Sequence, residues 1–239
     1  MDTPGSRAAR RSVVSADTNA HRRPDREKAP NRRQRTRLAP EERERMILDA
    51  AMAFFAERGF GADTRQLASQ LGVSQSLIYR YFGSKDNLLE RVYEETFVSR
   101  WKADWEPLLK DRSISLEERL RRFYIDYFRV VDDPIWIRIA MRSSLAGHRL
   151  TKRYVESLIN RLLEIITEEA RLIAGPDMAD HLEGQGLELA WHLHSTLIYY
   201  LIRKHIHRVP VSDDIEGLVE TMVQNFLNGL GRDPKSTGV

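Results

Sequence analysis

Between Pro40 and Phe60 the apolar positions keep a helical period. Ile47, Ala50, Ala51 and Phe54 recur at i, i+3, i+4 and i+7 and mark one buried face. Pro40 suits a first helical turn and Gly59 a C-terminal stop. The pattern then shortens. Asp63, with Gln66 three residues on, forms a capping box that opens a short helix to about Gln70. Gly72 makes a turn, and Ser74 caps a second short helix, "QSLIYRYF", with Leu77, Ile78 and Phe82 directed inward and Val73 at the turn. Ser84 caps a longer helix, "KDNLLERVYEETFVSRW", whose Leu88 and Leu89 close a small core.

Beyond this the periodic segments lengthen. Ser115 and Glu118 form another capping box ahead of "LEERLRRFYIDYFRVV", and Asp133-Pro134 restarts a helix at "IWIRIAMRSSL". A third helical pattern runs from His148 to Ala174 and stops at Gly175-Pro176. A fourth extends from about Ala179 to His207, ending at Val209-Pro210. The last covers Asp213 to Leu230, with Ile215, Leu218, Val219, Met222, Val223, Phe226, Leu227 and Leu230 on one stripe. Period-2 runs are scarce and no internal repeat is present, which predicts an all-α fold rather than a sheet protein or a solenoid. The expected organisation is a helix-turn-helix domain of three helices over 39–86 and a larger helical bundle over 87–230. A disordered basic arm (1–38) precedes them and a flexible tail (231–239) follows.

Composition narrows the chemistry. In 239 residues, 41% hydrophobic positions are enough to bury a sizeable core. The absence of cysteine excludes disulfides, thiolate zinc sites and cysteine nucleophiles. The longest apolar runs, such as "LIYYLI", are far shorter than the roughly 20 residues of a membrane span. The N-terminus has no apolar signal segment, so a cytoplasmic location is expected. Charge is distributed unevenly. Residues 1–38 hold eleven Arg and Lys against four acids, a net +7, which leaves −4 on the remainder of a chain whose total is +3. Such a segment is read either as an arm that follows phosphates or as a solvated tail.

The stretch "DTRQLASQLGVSQSLIYRYFGSKDNLL" has the form of a helix-turn-helix unit, whose second helix enters the DNA major groove. Leu67, Ala68, Leu71, Val73, Leu77, Ile78 and Phe82 would fix the angle between the helices, leaving Gln75, Ser76, Tyr79, Arg80 and Tyr81 outward. Gln and Arg suit bidentate contacts with base edges, Ser and Tyr hydroxyls suit phosphates, and Lys85 sits beside a helix cap that favours an anion. The alternative on composition alone is an exposed aromatic helix packed on the second domain.

From Glu41 to Leu89, about 50 of 239 residues, the chain resembles the DNA-binding domain of TetR-family transcriptional regulators. The resemblance lies in "ILDAAMAFFAERGF" and in the set Gly72-Val73-Ser74, Leu77-Ile78-Tyr79, Tyr81-Phe82 and Lys85. It implies a homodimer on a palindromic double-stranded operator. Thr64, Tyr79, Tyr81 and Lys85 would meet phosphates, Gln75, Ser76 and Arg80 would lie near base edges, and Arg65 and Ser74 complete the set. The connection "GFGADTRQLA" is one residue shorter than usual for the family, which bears on Asp63 and Thr64.

For the C-terminal two-thirds the resemblance implies a ligand-sensing and dimerising domain. The stripe over Ile215 to Leu230 and a second one, Trp191, Leu193, Leu197 and Leu201, suit either a dimeric four-helix bundle (179–207 with 213–230) or the core of one chain. Trp105, Phe123, Tyr127, Trp136 and Trp191 are candidates to line a cavity for an apolar or aromatic effector, with Arg142, His148 and His194 as polar partners; aromatics at this spacing equally suit a core. A metal site is not expected. His192 and His194 point about 200° apart on a helix, as do His205 and His207, while His194 and His205 stand roughly 16 Å apart. No Gly-rich phosphate loop and no G-x-S-x-G motif occurs, so neither an enzyme nor a bound cofactor is expected. The leading expectation is a repressor released by a small molecule, with the helix that begins after Ser84 as lever and its far end near Trp101 and Trp105. The alternative is an architectural DNA-binding protein that uses the basic arm.

Overall fold

Eleven α-helices, three of them extended by π-helical turns, build the described residues, 38–230, of the computed structural model, and no strand occurs among them. The basic arm and the tail fall outside the described residues except for Leu38. Residues 39–230 belong to a single compact unit. No described helix is long and apolar enough to cross a membrane.

Helix α1 (Pro40–Arg58) starts on its proline, and the Glu42 carboxylate accepts the Ala39 N–H at 3.0 Å. It ends at Gly59, whose φ of +80° lies in the region that favours glycine. Asp63 caps α2 (Thr64–Leu71) by accepting the Arg65 N–H at 2.8 Å. The reciprocal Gln66 side-chain bond predicted for a capping box is not among the described hydrogen bonds. Gly72 takes the left-handed conformation, φ +64°, and closes α2 through bonds to the Ala68 and Ser69 carbonyls. Ser74 Oγ accepts the Leu77 N–H to start α3 (Gln75–Phe82), and Ser84 Oγ accepts the Asn87 N–H to start α4 (Lys85–Tyr93).

Helix α4 continues only through a π-helical turn, Glu94–Val98. Trp101 lies in the turn beyond it, and Trp105 opens a separate helix, α5 (Trp105–Lys110), so the helix after Ser84 is shorter than the sequence pattern predicts. Two ties bend the chain there: Arg100 Nη1 donates to Asp133 Oδ2 at 2.8 Å and Trp105 Nε1 to Asp126 Oδ2 at 2.8 Å. Next come α6 (Leu116–Val131), capped by Ser115, and α7 (Pro134–Leu145), capped by Asp133. The helical pattern from His148 becomes α8 (Arg149–Tyr154), a π-helical turn (Val155–Ile159) and α9 (Asn160–Ile173). Helix α10 (Pro176–Leu201) begins three residues before the predicted start and runs on through Ile202–His207 to Arg208, which has φ +55°. Helix α11 (Ile215–Leu230) packs on α6 and α10.

One apolar core joins all these helices. Ile47, Phe55, Leu67, Ile78 and Leu88 fill its N-terminal end, and Phe123, Tyr127, Ile137, Ile166 and Leu197 are among those that fill the rest. In α11, Val219, Met222, Val223, Phe226 and Leu230 are buried within the chain itself, as are Leu193, Leu197 and Leu201 of α10, with Trp191 half-buried.

Candidate nucleic-acid interface

Helices α2 and α3 are held by the residues the sequence assigns to them. Leu67, Ala68, Ile78 and Phe82 are buried, and Leu71, Val73 and Leu77 are half-buried. The Val73 N–H donates to the Ala68 carbonyl at 3.0 Å and sets the turn. The opposite face of α3 presents Ser76 and Arg80 to solvent, with Gln75, Tyr79 and Tyr81 half-buried. The Arg80 guanidinium lies 5.6 Å from the centre of the Tyr81 ring. Ser74 and Ser76 share a hydroxyl–hydroxyl bond of 2.9 Å.

Thr64 is placed differently from expectation. It is 1% exposed, and its Oγ1 lies 2.7 Å from the Tyr79 hydroxyl. Gln75 Nε2 donates to Thr64 Oγ1 at 2.7 Å and to the Tyr79 hydroxyl at 3.3 Å. Thr64 therefore fastens Gln75 and Tyr79 to α2 instead of facing outward with them. Lys85 is half-buried, and its ammonium donates to the Ala62 carbonyl at 2.9 Å, linking the start of α4 to the loop before α2. Arg65 is free to reach outward, with its side chain 78% exposed and its Nε only at 4.0 Å from Asp63. The arrangement can present hydroxyls, an amide and three cations to a polyanion.

Residues 47–92 match the model of the bacterial regulatory proteins of the tetR family. Over 82 residues the chain is 28% identical to the HTH-type transcriptional regulator YvaF of Bacillus subtilis, a match covering 34% of this chain and 43% of that one. Over 50 residues it is 46% identical to the HTH-type transcriptional regulator HbdR of an Aromatoleum species, covering 20% and 22% of the two chains. Both matches span less than half the length of these relatives. A TetR-like transcriptional regulator from Rhodococcus sp. RHA1 has the same fold, with TM-score 0.61 and 23% identity over 81% of this chain and all of that one. Residues 47–92 are a helix-turn-helix of the tetR family.

Outside the TetR-family helix-turn-helix, the predicted effector residues fall into three groups. Trp105, Phe123, Tyr127, Trp136 and His194 are buried in packed core. Trp105 stands 5.7 Å from Phe123 and 5.4 Å from Tyr127, Tyr127 stands 5.3 Å from His194, and Trp136 packs on Phe97 at 5.7 Å. Burial pushes His194 down to about 4, so the ring is neutral near pH 7. His192 is exposed while His194 is buried, the opposed facing that their spacing predicts. His148 and Trp191 form the second group and line an open pocket. Arg142 stands apart. It is exposed, and its Nε donates to the Ala56 carbonyl at 2.9 Å near the end of α1. That bond ties α7 to the helix-turn-helix domain, and the His148 ring, in the turn ahead of α8, stacks on Phe60 of the same domain at 5.3 Å. No local sequence signal marks either contact, because each joins residues more than eighty positions apart.

Proposed function

We propose that this chain is a TetR-family regulator, a homodimeric, sequence-specific transcriptional repressor that leaves a palindromic operator when a small molecule binds its C-terminal helices. The observation that carries the reading is the outer face of α3, where Ser76 and Arg80 are exposed beside a pre-fastened Gln75. In this reading Gln75, Ser76 and Arg80 meet base edges, and Arg65, Ser74, Tyr79, Tyr81 and Lys85 meet phosphates. Thr64 acts from behind by holding two of them. A two-fold dimer places two such helices about 34 Å apart, one turn of duplex. The second copy would meet the outer faces of α10 and α11, where Tyr199 is 58% exposed and His192, Thr196 and Thr221 line a shallow groove. Release follows if the effector prefers a conformation in which the two heads are wrongly spaced.

The experiment is a binding selection from fragmented source DNA at physiological salt, followed by sequencing. The expected result is a palindromic consensus with half-sites one helical turn apart. Enrichment without a consensus, abolished by deleting residues 1–38, would replace this reading with non-specific binding through the basic arm.

A further inference from the structure

A pocket of about 630 Å³ opens where the turn after α7 and the α8 segment face Trp191 of α10. Its wall is electrostatically uneven. Arg149 and Lys152 supply two cations against one carboxylate, Glu156. Lys152 Nζ is 3.5 Å from Glu156, whereas Arg149 has no ion pair among the described residues. Two further lining residues, His148 and Asn160, each carry a buried polar atom, Nδ1 and Oδ1, with no hydrogen-bond partner among the described residues. Buried polar atoms are nearly always paired in folded proteins, so two in one pocket mark a place where an incoming group gains bonds that the chain does not supply.

We infer that this pocket binds a small aromatic carboxylate and that its occupancy is passed to the DNA-binding domain through His148. The carboxylate lies at Arg149, the ring against Trp191, and a ring hydroxyl, where present, donates to Asn160 Oδ1. His148 is the connection. Its ring stacks on Phe60 at 5.3 Å with 28° between planes, and Phe60 stacks on Phe55 at 5.6 Å. Phe60 is buried in the loop just ahead of the Asp63 cap, so a ligand that turns His148 displaces the start of α2. This relay rests on the regulator reading, but binding at the pocket does not.

The test is calorimetric titration of the full chain with benzoate, 4-hydroxybenzoate and benzyl alcohol, without DNA. Both carboxylates should bind, 4-hydroxybenzoate the more tightly. Affinity should fall by about tenfold or more, a difference of about 1.4 kcal/mol, for benzyl alcohol and for benzoate with Arg149→Gln. No heat from either carboxylate at millimolar concentration, or equal affinity in Arg149→Gln, overturns the site. The relay is tested on the selected operator. Phe60→Leu should bind benzoate like the parent chain yet lose benzoate-dependent release, and His148→Gln, which breaks the same stack from the other side, should also lose release should Phe60→Leu fail to fold. Full release in whichever variant folds overturns the relay. Benzoate binding without any operator preference leaves the pocket standing and removes the regulator reading.

Discussion

At the scale of single residues, the proposed recognition depends on side chains that are already in place before DNA arrives, since ordering them on binding costs affinity. Thr64 does this for Gln75 and Tyr79. Thr64→Val should lower stability by about 1 kcal/mol and weaken every operator alike, which thermal melting and a repeated selection would measure; an altered consensus would mean that Thr64 itself touches bases. Arg80→Ala and Lys85→Ala separate the other two roles. The first should cost about 1 to 3 kcal/mol and relax preference at one base position, and the second should weaken all sequences and reduce the salt slope by about one. Helical phase made Ser76 and Arg80 legible as outward positions. The burial of Thr64 was not legible, because it depends on the Tyr79 hydroxyl reaching across from another helix. The same limit applied to His194, whose burial against Tyr124 and Tyr127 only the folded core reveals. Folding lowers its value from 6.5 to about 4, so between these values the unfolded chain binds the proton more readily. Stability should be level above pH 6.5 and fall as pH drops, by about 3 kcal/mol in all. Glu118 and Glu169, held below the ordinary 4.5 mainly by hydrogen bonds from Arg121 and Arg112 respectively, contribute only further down. Urea midpoints at pH 7 and pH 5 should therefore converge in His194→Phe.

At the scale of elements, the features that a sequence declares are the local ones. Ser74, Ser84, Ser115 and Asp133 all cap the helices expected of them, since a cap joins residues two or three apart. The break after Val98 is a different case. Apolar periodicity continues past it, but Arg100 and Trp105 are drawn to Asp133 and Asp126, about thirty and twenty residues away, and that bends the chain into a new helix. The two stripes of α10 and α11 were legible as apolar faces, yet periodicity does not say what covers a face; within this chain the neighbouring helices do. Gly72 is the element whose replacement is easiest to interpret. At φ +64° a Cβ would meet nothing within 4 Å, so the cost of Gly72→Ala is conformational alone. It should destabilise by about 1 kcal/mol, and Gly72→Asn by less, because Asn tolerates the left-handed region. Equal losses in the two variants would point to a contact at the turn instead of its conformation.

At the scale of the whole molecule, the buried core passes from α1 to α11 without interruption, and a charged network crosses it. Arg119 and Glu169 are 4% and 6% exposed and meet at 2.8 Å, and Arg112 closes on the same carboxylate at 2.8 Å from the surface. Arg119 also donates to the Leu109 carbonyl, so α5, α6 and α9 are joined through one guanidinium. Removing one partner of a buried pair strands the other, which costs about 3 to 5 kcal/mol. Glu169→Gln should therefore destabilise severely, and Arg112→Ala should be mild because its side chain is 65% exposed. How that loss is distributed tests whether the molecule behaves as one unit. A continuous core predicts a single unfolding transition, followed alike by far-ultraviolet dichroism and by tryptophan fluorescence. In Glu169→Gln both signals should move down together, by about 6 °C or more for a chain of this size. If fluorescence moved while part of the helical signal kept its original midpoint, the helix-turn-helix would be melting independently. The contacts that tie it to α7 at Arg142 and to the turn before α8 at His148 would then carry too little energy to transmit a signal from the C-terminal helices to DNA.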